Sequence, residues 1–261
     1  MLRVLKKKHH KGFNLFHYIL VLFAIAIGFF TLVVAGNLAS HYIKISRTVV
    51  TTQTTTEPVQ VINLEAVILE TKGKLLQANA YIRITDGSIT TIGSAVIIDS
   101  DDLYYYAITN QHVIEGSESL TKTVATYDLI STDFRVIAAS EELDLAIIQF
   151  EKSGRSNIVP LSISGEEIPS NEFVMAVGNP IGSVGSVTIG IIQEHVTIRS
   201  DIDIEHDALL HTATLGNGSS GGALVDMYGN LIGLNSWGIG GNYYAIPSTI
   251  VLSFIESQNL F

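Results

Sequence analysis

The sequence predicts an all-β protein of two six-stranded antiparallel barrels, with a transmembrane helix in front of them and a short helix behind. Three observations carry this expectation. The greater part of the chain consists of short apolar runs rich in Ile, Val and Thr, broken by Gly, Asn and Asp, with 22 glycines in 261 residues, which is the pattern of strands and tight turns. Sustained helical periodicity is absent except near the ends. The length allows one large or two small domains with a real core.

From the N-terminus, residues 1–17 form a basic segment holding Arg3, Lys6, Lys7, Lys8 and Lys11. Residues 18–36 follow as an uninterrupted apolar or neutral stretch of 19 residues. As a helix they would span about 28 Å at ~1.5 Å per residue, enough to cross a bilayer core. The basic flank keeps the N-terminus in the cytoplasm, so the expectation is a single-pass protein of the cell membrane with everything after Gly36 extracytoplasmic. The rival reading is a cleavable signal peptide, for which Val33-Val34-Ala35 offers a site. The apolar region is long for that purpose, and an uncleaved anchor is preferred. Residues 37–64 read as a Thr-rich linker, with six threonines between Thr48 and Thr56 and Pro58 after them, an extended tether holding the rest off the membrane.

The domain proper is expected over residues 65–261, with barrels at about 65–155 and 156–250 and an amphipathic helix from Ser248 to about Gln258. Charge divides at the linker. Residues 1–56 carry seven Lys and Arg and no acid, which leaves eight basic and all 25 acidic residues, a net of −17, for the remainder. Such a domain repels nucleic acid, so DNA and RNA are set aside as partners. The chain has no cysteine, so no disulfide supports the fold, which a domain of this size permits.

The chemistry concentrates in Gly216-Asn217-Gly218-Ser219-Ser220-Gly221-Gly222, which reads as a nucleophile loop with Ser220 as the attacking residue. A serine hydroxyl is a weak nucleophile and needs a base in reach and backbone donors for the oxyanion it creates. Flanking glycines let the backbone turn sharply and approach a substrate carbonyl, and the N–H groups of Gly218 and Ser220 would form that oxyanion hole. Upstream, His112 follows the strand Tyr104–Ile108, and Asp144 opens the apolar run Leu145–Ile148, where a carboxylate is costly to bury without a partner. The order His112, Asp144, Ser220 is that of the chymotrypsin-like double barrel, and differs from those of subtilisins and α/β-hydrolases. In that mechanism the imidazole takes the serine proton and returns it to the leaving amine, while the carboxylate fixes the tautomer.

Six ordered segments then resemble one family, the HtrA/Deg-type trypsin-like serine proteases, over roughly residues 90–250. Gly93–Asp99 is similar to its G-S-G-x-I-I-D strand, Thr109–Val113 to T-N-x-H-V, and Asp144-Leu145-Ala146 to D-L-A. Ala176–Gly182 resembles A-I-G-N-P-x-G, Gly218–Gly222 resembles G-N-S-G-G, and Ala245–Ser248 resembles the end of F-A-I-P-S. The chain departs from the pattern at Ser219 (usually Asn), Ala223 (commonly Pro) and Thr212 (often an acid), which bears on loop activation and pocket shape.

The resemblance implies a serine endopeptidase that cleaves unfolded or exposed protein segments, with a role in protein quality control or processing at the membrane and with no cofactor. Leu234–Gly238 is closer to the S-W-G strand of chymotrypsin. By that likeness Ser236 supports Asp144, and the backbone of Ser236, Trp237 and Gly238 binds substrate as an added strand. The primary pocket would be lined by the same strand and by Thr214, six residues before Ser220. Its lack of charge favours a small or medium apolar residue before the scissile bond. Family members are often homotrimers, through N-terminal contacts that match poorly here. They usually carry PDZ domains, for which this chain has no room after its last helix.

The alternative is a non-catalytic, protease-like module that captures extended peptides at the membrane. A narrower rival is a glutamate-specific endopeptidase of the same fold, although those enzymes typically place His before the W-G pair, where this chain has Ser236. Asp201–Asp207 with His211 nearby offers acids and imidazoles, but their alternation with isoleucines suits a half-solvated strand, and no metal site is expected.

Overall fold

The structure is a computed structural model that describes residues 63–152, 154, 158–182, 184–199 and 204–260. The basic segment, the expected transmembrane stretch and the linker up to residue 62 lie outside the described residues. Among the described residues no helix is long and apolar enough to cross a membrane. The described residues form one compact unit.

The all-β expectation holds. β1 (Asn79–Thr85), β2 (Thr90–Ser100), β3 (Tyr104–Thr109), β4 (Thr121–Thr126), β5 (Ser131–Ser140) and β6 (Leu145–Glu151) close in the order β1-β2-β3-β6-β5-β4. A second barrel is made of β7 (Phe173–Gly178), β8 (Ser186–Arg199), β9 (Glu205–His211), β10 (Ala223–Val225), β11 (Leu231–Ile239) and β12 (Asn242–Pro247), closing as β10-β11-β12-β9-β8-β7. Every named strand pairing is antiparallel. The expected C-terminal helix is present as Ser248–Gln258.

Strand periodicity explains how one sequence fills three cores. Alternate residues of a strand face opposite sides. In β6, Ala146, Ile148 and Phe150 fill the first barrel, while Leu145 and Ile147 face outward into a core shared with the second barrel. In β7, Val174 and Ala176 point into the second barrel, and Met175 and Val177 into the shared core. The shared core fixes the barrels against each other and so sets the cleft between them.

One element differs from the sequence reading. The stretch after the linker begins with helix α1 (Leu64–Ala78), and strand structure starts only at Asn79. Asn63 caps the helix, its side chain accepting from the Ala66 amide at 3.3 Å, which satisfies one of the free N–H groups of the first turn. Leu75 and Ala78 are fully buried in the shared core, and Thr71 donates to the Met227 carbonyl at 2.9 Å. The helix therefore packs against both barrels at the point where the linker enters.

Candidate active site

Asp144 ends the turn before β6 with φ of 51°. That left-handed conformation is uncommon outside glycine and best tolerated by Asp and Asn. Its backbone carbonyl accepts from the buried Asn110 side chain at 3.1 Å. Asn110 in turn precedes the four-residue helix α2 (Gln111–Ile114) that carries His112. The sequence placed His112 at a strand end; it stands one short helical turn beyond β3, because Asn110 is extended and the Val113 amide bonds back to it.

The Asp144 carboxylate is 6% exposed and fully engaged. Its Oδ1 accepts from His112 Nδ1 at 2.9 Å and from the His112 backbone N–H at 3.0 Å. Its Oδ2 accepts from Ser236 Oγ at 2.7 Å and lies 3.0 Å from the same ring nitrogen. A ring nitrogen between two carboxylate oxygens carries the proton, so a neutral His112 presents Nε2 as an acceptor. Three donors on one carboxylate also keep the buried charge solvated.

Ser236 reaches Asp144 because of a bulge. The pairing of β11 with β12 jumps from Asn235↔Ala245 to Trp237↔Tyr244, leaving Ser236 as the extra residue. A bulge bends the strand and re-aims the side chain. The Ser236 carbonyl accepts from Ser220 Oγ at 3.0 Å, so one residue touches both the Asp144 carboxylate and Ser220. No hydrogen bond joins Ser220 to His112. Beyond Leu234, β11 has no β10 partner, which leaves one edge of Ser236–Gly238 open.

The loop before Ser220 is held tightly. Gly218 has φ of 99°, and a Cβ there would stand 2.7 Å from the Asn179 carbonyl oxygen. The amides of Ser219, Gly221 and Gly222 donate to Gly216, Asn235 and Ser219, whereas among the described residues those of Gly218 and Ser220 find no acceptor. Thr214 is exposed, and its carbonyl accepts from Thr188 Oγ1 at 3.0 Å.

A groove of ≈ 590 Å³ runs beside His112 and Asp144, lined also by Ser236, Trp237, Gly238 and His206. His206 packs on Trp237 with ring centroids 4.9 Å apart, a contact invisible to the sequence reading. Of the acidic stretch at 201–207, residues 201–203 lie outside the described residues. The remainder follows the expected alternation, with Glu205 and Asp207 exposed and His206 and Ala208 buried.

His211 is 1% exposed inside the second barrel, and neither ring nitrogen has a hydrogen-bond partner. Burial pushes its pKa down to about 4, and the Ala213 backbone, beside the ring but outside good hydrogen-bond geometry, acts in the opposite direction. Between pH 6.5 and 4 the unfolded chain binds this proton and the folded one does not, so stability falls as pH falls through that window. The expected loss from pH 7 to 4 is about 3 kcal/mol from this group. Urea unfolding of a Ser220→Ala background with and without His211→Leu checks this. The His211→Leu curve should lose that part of the acid slope, and identical slopes would refute the assignment.

Comparison with known proteins gives three consistent results. Residues 93–234 match the family model described as a trypsin-like peptidase domain. The chain is 32% identical over 173 residues to a probable periplasmic serine protease do/HhoA-like of Haemophilus influenzae, covering 63% of this chain and 36% of that protein. It is also 32% identical over 168 residues to the periplasmic serine endoprotease DegP of Escherichia coli K12, covering 61% and 34%. The chain thus spans about a third of the length of these curated relatives. Among solved structures it is similar to an HtrA-type protease AlgW with tripeptide, at TM-score 0.63 and 29% identity, covering 73% of this chain and 62% of that one.

Proposed function

The chain belongs to the trypsin-like peptidase domain family, and on that premise we propose that it is a membrane-anchored, extracytoplasmic serine endopeptidase of the HtrA type. One observation carries the reading: Asp144 binds His112 Nδ1 and Ser236 Oγ at once, and Ser236 passes its carbonyl to the Ser220 hydroxyl. The mechanism requires Ser220 Oγ to leave that carbonyl and turn to His112 Nε2 when substrate binds. Catalytic hydrogen bonds are often long or unmade without substrate.

His112 then takes the Oγ proton as Oγ bonds to the substrate carbonyl carbon, and the carbonyl π electrons move to oxygen. The unbonded amides of Gly218 and Ser220 receive that oxyanion. The protonated imidazole gives its proton to the leaving amine as the C–N bond breaks, and water repeats the sequence on the acyl-serine. The open edge of Ser236–Gly238 pairs with an extended substrate, which suits unfolded or exposed segments. Uncharged Thr214 favours Val, Ala or Leu before the scissile bond, and the sites cut in casein test this: a strong preference for Arg, Lys or Glu would refute it.

The periplasmic labels of the relatives agree with the topology expected from residues 1–36. Protease added to spheroplasts should degrade the domain after residue 65, and protection there would reverse the assigned orientation. Assembly as a homotrimer, implied by the family resemblance, is read out by light scattering in detergent. The alternative, a non-catalytic peptide-binding module, draws on the absence of a bond between Ser220 and His112. A fluorophosphonate probe separates the two readings, because it labels Ser220 only where the serine is activated.

A further inference from the structure

The following rests on the reading of Gly218 and Ser220 as the oxyanion donors. We propose that Asn179, acting through Ser94, is the positioning residue of the oxyanion hole, with Asn79 tying it to the entrance of the first barrel.

The four carbonyls from Asn217 to Ser220 are all restrained. Asn217 O accepts from the Ile181 amide at 2.8 Å, Ser219 O from Gly222 at 3.0 Å, and Ser220 O from the Ser94 amide at 2.8 Å. Gly218 O accepts from Ser94 Oγ at 2.7 Å. A trans peptide points its N–H opposite to its carbonyl. Holding Asn217 O and Ser219 O therefore sets the directions of the Gly218 and Ser220 amides. The peptide between those two, whose carbonyl is Gly218 O, sets the angle of one amide relative to the other. Ser94 controls that peptide.

The direction of the Ser94 proton follows from counting. A hydroxyl has one donor and two acceptor positions. Both acceptor positions are filled by Asn179, through its backbone N–H and its Nδ2, each at 3.0 Å. Ser94 is fully buried, so water does not compete, and Gly218 O is the remaining target for its proton. Asn179 is itself fixed. Its Nδ2 donates to Ala80 O at 2.9 Å, and its Oδ1 accepts from the Gly185 amide at 2.9 Å and from Asn79 Nδ2 at 2.8 Å. Asn79 is buried at the junction of α1 and β1. The network thus links the entering chain, the end of β7 and the nucleophile loop, and satisfied networks of this kind hold a single geometry.

The test compares, on the purified full chain, a peptide aldehyde with the matching peptide alcohol. The aldehyde accepts Ser220 Oγ at its carbonyl carbon and places an oxyanion on the two amides, whereas the alcohol occupies the cleft without one. Ser94→Ala is expected to lower kcat about 10- to 100-fold with KM nearly unchanged. It should weaken the aldehyde by a similar factor and leave the alcohol unaffected. Equal weakening of both inhibitors, or of neither, overturns the proposal. Should Ser94→Ala lose its cooperative thermal transition, Asn79→Ala carries the same test with an expected aldehyde-specific loss of about 5-fold. An unchanged aldehyde-to-alcohol ratio in that variant also overturns it. A wild-type ratio near one overturns the serine-protease reading itself, and the positioning role with it.

Discussion

Replacing Ser220 by alanine is expected to lower peptide hydrolysis about 10⁶-fold while the domain stays folded. In the proposed mechanism the effect is large because the hydroxyl forms the covalent bond, and the imidazole, carboxylate and oxyanion donors would have no attacking atom to serve without it. The fold should tolerate the change. The hydroxyl makes one hydrogen bond, to the Ser236 carbonyl at 3.0 Å, and losing it costs on the order of 1 kcal/mol. Casein turnover and the thermal midpoint, measured on the same preparation, check both halves. Undiminished turnover would remove Ser220 from the mechanism.

Asp144→Asn is expected to cost about 10⁴-fold in kcat. The carboxylate accepts from the His112 amide, the His112 ring and Ser236 Oγ. An amide in the same place has one acceptor oxygen and two protons of its own. With the oxygen held by the His112 backbone N–H, the NH₂ group faces Nδ1 and drives the ring proton to Nε2, where it blocks removal of the serine proton. Fluorophosphonate labelling should slow in proportion while KM for a peptide changes little. A variant that retains wild-type labelling would mean that His112 does not depend on Asp144.

Much of this architecture is legible in the sequence. The barrels follow from period-two apolar patterns such as Leu145–Phe150, and the C-terminal helix was placed at Ser248–Gln258, its observed range. His112, Asp144, Ser220 and Ser236 were singled out, and the structure gathers them into one cluster. What escaped has physical reasons. In α1, Leu64 and Leu69 are exposed while Thr71 is buried, so the apolar positions do not trace a clean helical face, and the segment reads as the start of the first barrel. The bulge that aims Ser236 exists only once β12 is in register. Ser94 and Asn179 lay inside recognised motifs without a role, since their importance is a matter of which lone pairs meet across the two barrels.

The hydrogen bond from Ser94 Oγ to Gly218 O joins residues 124 apart in the chain, and that from Ser236 to Asp144 joins residues 92 apart. Contacts closing such long loops form late in folding. A newly made chain with only its first barrel in place has a base and its carboxylate but no shaped nucleophile loop, and a free second barrel has the loop without its clamp. On the proposed mechanism, the capacity to cut would therefore appear only once the halves dock. A growing or half-folded copy is itself an unfolded polypeptide, the kind of segment we propose the finished protein cleaves, and until that moment it is prey and never predator.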